Sequence, residues 1–343
     1  MPDAPPPESP PAAVLPDAPA VPVRAEPAGA SAVAELWTWL RVILGAVVFA
    51  VVLRAFAFEA YRIPSTSMED TLLVGDFVLV SKLHYGPRLF GHRLPGLDDV
   101  DRGDVAVFNY PAGLEPVERR TPYIKRVVGL PGDTVAIRAK RVRVGRAELA
   151  APAAGRQLWE VRRERLPDAA WAIGLDGRVE RLSRRAWLVE ATAAQGAALR
   201  ELLGPADVAP FVRSPNDGSA AFPAALRFSL DDYGPVVVPR RGQTVRLDDA
   251  TLPYVRPAIE RFERRAVERT AEGVFVDGRP AESYTFTQDY YFVLGDNRDD
   301  SADSRTWGFV PRDHLIGKAS FVYFSWDDRS GAPRWRRVGQ DVD

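Results

Sequence analysis

Residues 36–58 are the segment that most constrains this chain, because 23 consecutive residues include only two charged ones, Arg41 and Arg54. A helix of that length is about 34 Å long, and the hydrocarbon core of a bilayer is about 30 Å thick. Trp37 and Trp39 lie near one end, where aromatic side chains suit a membrane interface. The segment therefore predicts a transmembrane anchor. A buried core helix and a cleaved signal peptide are the alternatives, and the late start of the segment disfavours the second.

Composition narrows the function classes. The chain has 343 residues with 45 basic and 46 acidic side chains, a net charge of -1 that disfavours a nucleic-acid partner. The absence of cysteine excludes disulfides, thiolate catalysis and cysteine zinc sites. The three histidines lack the spacing of known metal motifs. The sequence therefore predicts neither a metal nor another cofactor.

The remaining sequence predicts an interrupted β core. Short apolar runs between glycine, proline and aspartate are typical of strands, and they occur at 77–83, 104–110, 123–130, 134–139, 273–278, 289–296 and 317–326. The arginine-rich middle instead shows two helical patterns, at 186–203 and about 252–269. The predicted organisation is a disordered tail rich in proline and alanine (1–35), the anchor (36–58), a first part of the catalytic β core (59–140), a mixed α/β insertion (141–270) and a second part with the C-terminal tail (271–343).

Three polar segments could carry chemistry, although each has an ordinary structural explanation. The serines of 64–72 (PSTSMEDTL) could form a turn or a helix cap. Lys125 in 123–133 (YIKRVVGLPGD) could face water from an edge strand, but burial would lower its pKa and make it a general base. Segment 295–305 (GDNRDDSADSR) could be a polar loop or hold a cation, although the EF-hand spacing is not met.

Taken together and in this order, the three segments resemble the motifs of bacterial type I signal peptidases, which are serine proteases with a Ser/Lys dyad. Segments 102–108 (RGDVAVF) and 307–311 (WGFVP) extend the resemblance, which covers about 60–139 and 273–326. It implies a mostly β fold, with a signal-peptidase-like antiparallel β catalytic core joined to one N-terminal transmembrane helix and an enlarged insertion.

The resemblance also implies roles for individual residues. Ser67 matches the nucleophile and Lys125 the general base, Ser65 helps the backbone N–H of Ser67 to stabilise the oxyanion, and Met68 follows the nucleophile. The supporting residues are Ser301, which orients the lysine, and the structural partners Asp303 and Arg305.

Two positions depart from the pattern of the family. Asp70 stands where the family usually has proline, and Asp300 where it often has asparagine. We expect the first change to loosen the backbone near Ser67 and the second, if its carboxylate lies close enough, to raise the pKa of Lys125.

The implied function is removal of N-terminal signal peptides from exported preproteins, with cleavage after small residues in an Ala-x-Ala pattern. The implied partners are preprotein signal peptides, membrane lipid and the protein-translocation machinery. The implied location is the inner membrane of a bacterium, with a single span and an extracytoplasmic catalytic domain. Two alternatives remain: a Ser/Lys protease that processes one dedicated secretion or conjugation substrate, and an inactive membrane-bound binding homologue.

Overall fold

The computed structural model describes residues 32–89, 92–214 and 221–342. Most of the predicted tail, residues 1–31, lies outside these ranges. The chain divides into two units, Met1–Val51 and Val52–Asp343.

Helix α1 (Ala32–Phe56) covers most of the anchor predicted at 36–58. It begins four residues earlier, within the predicted tail, and it ends before Phe58, which belongs to a strand. Its stretch Ala34–Arg54 has a mean hydropathy of 2.2, and none of that stretch is buried. By length and composition this helix can cross a membrane, and its exposed apolar side chains are unlike those of a buried core helix.

The second unit is built mainly from strands. In the described residues these are β1 (Phe58–Arg62), β2 (Asp76–Ser81), β3 (Arg88–Leu89), β4 (His92–Arg93), β5 (Val105–Asn109), β6 (Pro122–Gly129), β7 (Thr134–Arg138), β8 (Arg141–Val144), β9 (Ala147–Glu148), β10 (Arg156–Val161), β11 (Val179–Ser183), β12 (Ala186–Thr192), β13 (Val208–Pro210), β14 (Tyr233–Val237), β15 (Thr244–Arg246), β16 (Val267–Thr270), β17 (Gly273–Val276), β18 (Arg279–Pro280), β19 (Ser283–Thr285), β20 (Tyr290–Leu294), β21 (Val310–Pro311), β22 (Leu315–Asp327) and β23 (Ala332–Pro333). The helices are α2 (Asp168–Trp171), α3 (Ala193–Leu203), α4 (Leu252–Arg261) and α5 (Ser304–Trp307).

The main sheet has the strand order β1-β2-β22-β5-β6-β20-β21, with β23 paired to β22, and its neighbours are antiparallel. Strands β5 and β20 are buried along their whole length, which explains why they read as unbroken apolar runs. The prediction of a mostly β fold with an antiparallel core is confirmed. This sheet places β6 between β5 and β20, so a side chain on β6 can be buried on either face.

A second, four-stranded sheet has the order β11-β12-β10-β13, and we call it the side sheet. Helix α3 packs on it through Leu199, which joins Trp159 and Val189 in one apolar cluster. A third sheet, β14-β7-β8-β9, pairs Tyr233–Val237 with Thr134–Arg138 across a long stretch of sequence.

The helix predicted over 186–203 is wrong in its first part. Residues Ala186–Thr192 form β12, in which Val189 lies opposite Trp159 of β10. The helix begins only after Thr192, whose side chain forms a capping box with Gln195. Pairing along β10 therefore outweighs the helical periodicity of this segment.

The helix predicted over 252–269 is also too long. Helix α4 ends at Arg261, and Val267–Thr270 form β16, which pairs with β17. The apolar residues that follow the helix still pack on the core, with Phe262 half-buried and Val267 buried, so the apolar spacing continues although the helix has ended.

Candidate active site

Ser67 and Lys125 lie in direct contact although 58 residues separate them, with Lys125 Nζ 2.7 Å from Ser67 Oγ. Lys125 projects from β6, where it lies opposite Ala106 of β5. Ser67 lies in the turn that follows β1. Both side chains are buried, with 3% of Lys125 and 7% of Ser67 exposed. An amine in contact with a hydroxyl is the arrangement of a general base and its nucleophile.

The surroundings of Lys125 favour its neutral form. Burial lowers the pKa of the Lys125 ammonium to about 8, while the carboxylates of Asp303 and Asp296 act in the opposite direction. Lys125 Nζ also donates a hydrogen bond to the carbonyl of Ile124 at 2.8 Å. Within the described ranges Lys125 has no ion-pair partner, so desolvation dominates its protonation state.

Ser65 and Met68 flank the nucleophile in different environments. The Ser65 side chain is exposed, and its Oγ lies 3.4 Å from Ser67 Oγ. Met68 is completely buried in the apolar cluster that contains Ile63 and Leu72. The buried methionine therefore anchors the turn in the core, while the Ser65 hydroxyl lies beside Ser67 at the surface.

Gly295 lies close to both Ser301 and the Ser67 turn. A side-chain Cβ on Gly295 would lie 2.2 Å from Ser301 Oγ and 2.6 Å from the carbonyl oxygen of Ser67, so only glycine fits between them. The Ser301 Oγ atom is buried without a hydrogen-bond partner in the described part of the chain. Ser301 Oγ therefore makes no hydrogen bond to Lys125 in this structure, and the implied role of Ser301 in orienting the lysine stays a prediction.

Asp303 and Arg305 form a completely buried ion pair. Arg305 donates two hydrogen bonds to the Asp303 carboxylate, of 2.8 and 2.7 Å, and Gly295 N donates a third of 3.1 Å. Burial raises the pKa of Asp303, but the Arg305 guanidinium and the backbone N–H groups of Gly295 and Arg305 together hold this pKa below its usual range. The pair fixes the end of β20, from which the loop beside Ser67 begins.

Comparison with known proteins identifies the family. Residues 36–169 and 236–326 match the family described as signal peptidase, peptidase S26. The chain belongs to this family. The resemblance drawn from the motifs is thereby confirmed.

Individual members of the signal peptidase family are similar over most of the chain. Signal peptidase I of Pseudomonas aeruginosa is 29% identical over 303 residues, which cover 84% of this chain and 73% of that protein. Signal peptidase I of Aquifex aeolicus is 29% identical over 280 residues, covering 80% and 78%. A crystal structure of a signal peptidase I from Enterococcus faecalis matches at 17% identity with a TM-score of 0.24, covering 66% of this chain and 100% of that one.

Contacts that the sequence does not predict join β6, the 295–301 loop and the Ser67 turn. Arg126 forms a two-pronged ion pair with Asp296, with hydrogen bonds of 2.9 and 2.8 Å. Asp296 also accepts a 2.7 Å hydrogen bond from Thr71, and Asn297 N donates to the carbonyl of Ser67 at 3.1 Å. The available signal was the alternation of β6, which places Arg126 on the face opposite Lys125.

The loop 295–305 does not resemble a cation site once its partners are known. Its carboxylates at Asp296, Asp299 and Asp303 pair with basic side chains of the chain itself. Among the described residues, no group of three histidine or acidic side chains could hold a metal ion. These three carboxylates therefore act as partners for arginine and lysine.

The two departures from the family pattern have defined partners. Asp300 accepts a hydrogen bond from the Thr66 hydroxyl. The effect of Asp300 on Lys125 that the sequence predicts is not found, because the carboxylates that raise the pKa of Lys125 are Asp303 and Asp296. Asp70 has a φ of 73°, in the left-handed region that a proline ring cannot adopt. Instead of a ring, an ion pair with Arg156 holds this backbone.

Proposed function

We propose that this chain, a serine peptidase of the signal peptidase family, removes signal peptides with Ser67 as nucleophile and Lys125 as general base. The observation that carries the proposal is the 2.7 Å contact between the Ser67 hydroxyl and a buried amine of lowered pKa. A neutral lysine can accept the proton of a serine hydroxyl, and no histidine is needed. The same buried contact argues against an inactive binding homologue.

The proposed reaction has two stages. Lys125 takes the proton of Ser67 as its Oγ attacks the scissile carbonyl, and the tetrahedral intermediate collapses when the protonated lysine donates to the leaving amine. Lys125 then activates water, which releases the acyl group from Ser67. The Ser65 hydroxyl and the backbone N–H of Ser67 stabilise the oxyanion, and one such donor contributes about 3–4 kcal/mol in other enzymes. Asp303 and Arg305 act only by holding the loop.

The proposed substrate is a preprotein whose signal peptide ends in an Ala-x-Ala pattern. The proposed location is the inner membrane of a bacterium, with a single span and an extracytoplasmic catalytic domain. The length and apolar composition of helix α1 support the span. Anchoring enzyme and substrate in one membrane raises their effective concentration, and the lipid and the translocation machinery are the proposed partners.

We expect Ser67→Ala to abolish both cleavage and covalent labelling. The full chain in detergent is incubated with a preprotein carrying alanine at positions -1 and -3, and separately with a serine-directed acylating probe. Ser330→Ala, an exposed serine, is the control and retains both activities. Labelling without preprotein cleavage in the unaltered chain would favour a dedicated substrate, and labelling that survives in Ser67→Ala would contradict the proposal.

The proposed dyad predicts the pH dependence. Because Lys125 must be neutral to act, kcat/KM should rise with pH through a midpoint of about 8. Below the midpoint the rate should fall about tenfold for each pH unit, since the neutral fraction falls tenfold. The measurement is kcat/KM for a signal-peptide substrate between about pH 6 and about pH 9. Lys318→Arg is the control, because Lys318 pairs with Asp104 rather than with Ser67, and it should show the same pH profile as the unaltered chain. A flat pH profile in the unaltered chain would contradict the assignment of Lys125 as the base.

A further inference from the structure

The side sheet reaches the candidate site through the first residue of β10. Arg156 N donates to the carbonyl of Asp296 at 3.0 Å, and Arg298 N donates to the carbonyl of Arg156 at 2.9 Å. Arg156 thereby forms a parallel bridge with Asn297, the residue whose N–H binds the Ser67 carbonyl. The backbone of Arg156 is therefore fixed on the loop that supports Ser67 from behind.

The side chain of Arg156 reaches the Ser67 turn itself. Its guanidinium donates two hydrogen bonds to Asp70, of 2.6 and 2.9 Å, although 86 residues separate them. The guanidinium is buried, with 4% of the side chain exposed. A two-pronged arginine–carboxylate pair fixes direction as well as distance. It holds Asp70 in the left-handed conformation, which costs free energy for a residue with a side chain.

Both ends of this connection bear on the position of Ser67 Oγ. Asp70 belongs to the same turn as Ser67, and Thr71, the next residue, is held separately by Asp296. Loss of the Arg156 side chain leaves Asp70 in a strained conformation without its partner, so the turn can relax away from Lys125. A displacement of about 1 Å at a reacting atom can cost a factor of about 100 in rate.

We propose that Arg156 is a positioning residue, which clamps the Ser67 turn to the 295–301 loop and so sets the contact between Ser67 and Lys125. This inference rests on the proposed function of Ser67 and Lys125. Arg156 also donates to Asp176 at 2.8 Å, but the Asp176 side chain is 67% exposed and belongs to no part of the Ser67 turn. A variant of Asp70 therefore tests whether Arg156 positions the Ser67 turn, and a variant of Asp176 tests whether any lost partner of Arg156 has the same effect.

The test compares kcat and KM of variants of the full chain in detergent, with a signal-peptide substrate. Arg156→Gln should lower kcat about tenfold with KM changed by less than about twofold, because the turn is displaced while the surface that binds substrate is kept. Arg156→Lys should recover part of this loss through one remaining charged hydrogen bond. Asp176→Asn and Arg162→Gln, an exposed arginine next to β10, are the controls and should leave kcat unchanged.

A double-mutant cycle tests the Asp70 connection. Asp70→Asn alone should lower kcat to a similar extent, and the double variant with Arg156→Gln should be no slower than either single variant. Additive losses would overturn the clamp, as would an unchanged kcat in Arg156→Gln. A lower melting temperature with unchanged kcat would assign Arg156 a purely structural role and overturn the proposal as well.

A readout without catalysis separates this inference from the proposed function. Hydrogen exchange of the amides at 66–71 should be about tenfold faster in Arg156→Gln than in the unaltered chain and unchanged in Asp176→Asn. If the unaltered chain fails to cleave any signal peptide, the proposed function fails, but the exchange measurement still decides the clamp. Unchanged exchange at 66–71 in Arg156→Gln would overturn it.

Discussion

Lys125→Arg should reduce signal-peptide cleavage by a factor of at least about 10⁴, because a guanidinium keeps its charge at every accessible pH and cannot accept the proton of Ser67. The substitution retains a long cationic side chain, so the loss can be assigned to the missing base. Cleavage is followed with the full chain in detergent, over a range of enzyme concentrations wide enough to detect the residual rate.

Two further variants sharpen this test. Arginine is larger than lysine and the site is buried, so Lys125→Met supplies an uncharged side chain that fits and equally lacks a base. Lys318→Arg makes the same substitution at a partly exposed lysine and should keep the activity within about twofold. Cleavage by Lys125→Arg or Lys125→Met within tenfold of the unaltered chain would exclude Lys125 as the base, provided that circular dichroism shows an unchanged fold.

The strands of the main sheet could be predicted from sequence because their burial leaves a strong pattern. The apolar runs at 104–110 and 289–296 correspond to β5 and β20, which are buried on both faces. A strand of this kind has few polar residues that could suggest another structure. The β fold of the core can therefore be predicted from the sequence alone.

The errors lie where local pattern and long-range pairing disagree. Residues 186–192 are compatible with a helix, and only their pairing with β10, whose paired residues lie 26 to 36 positions earlier in the chain, makes them a strand. Helix α4 likewise ends at Arg261, and the later part of the predicted helix is strand β16, which pairs with β17. Single-sequence periodicity contains no information about such partners.

The candidate site also has one part that the sequence predicts and another that it does not. The segments around Ser67, Lys125 and Asp303 were found because their residue types and order resemble one family. The clamp from Arg156 to Asp70 cannot be predicted from the sequence, because it joins residues 86 positions apart and Arg156 lies in no motif. The one sequence signal at this site is Asp70, an acidic residue where the family usually has proline.

The buried pair of Asp303 and Arg305 should give the largest loss of stability. Asp303→Ala leaves the Arg305 guanidinium, which is 1% exposed, without its carboxylate, and breaking a buried pair in this way costs about 3–5 kcal/mol of unfolding free energy. Glu260→Ala is the control, since it removes an exposed i,i+4 pair with Arg256 and should cost less than about 0.5 kcal/mol. Both are measured by denaturant unfolding of the full chain in detergent.

A second variant distinguishes the loss of the charge pair from the loss of packing. If the uncompensated guanidinium causes the destabilisation, Asp303→Ala combined with Arg305→Met should be more stable than Asp303→Ala alone, because the unpaired buried charge is gone. Gly295 N loses its acceptor in both variants, so this contribution cancels in the comparison. Arg305 also donates hydrogen bonds to the carbonyls of Leu230 and Arg298. A double variant less stable than Asp303→Ala would show that these two hydrogen bonds stabilise the loop even without the Asp303 carboxylate.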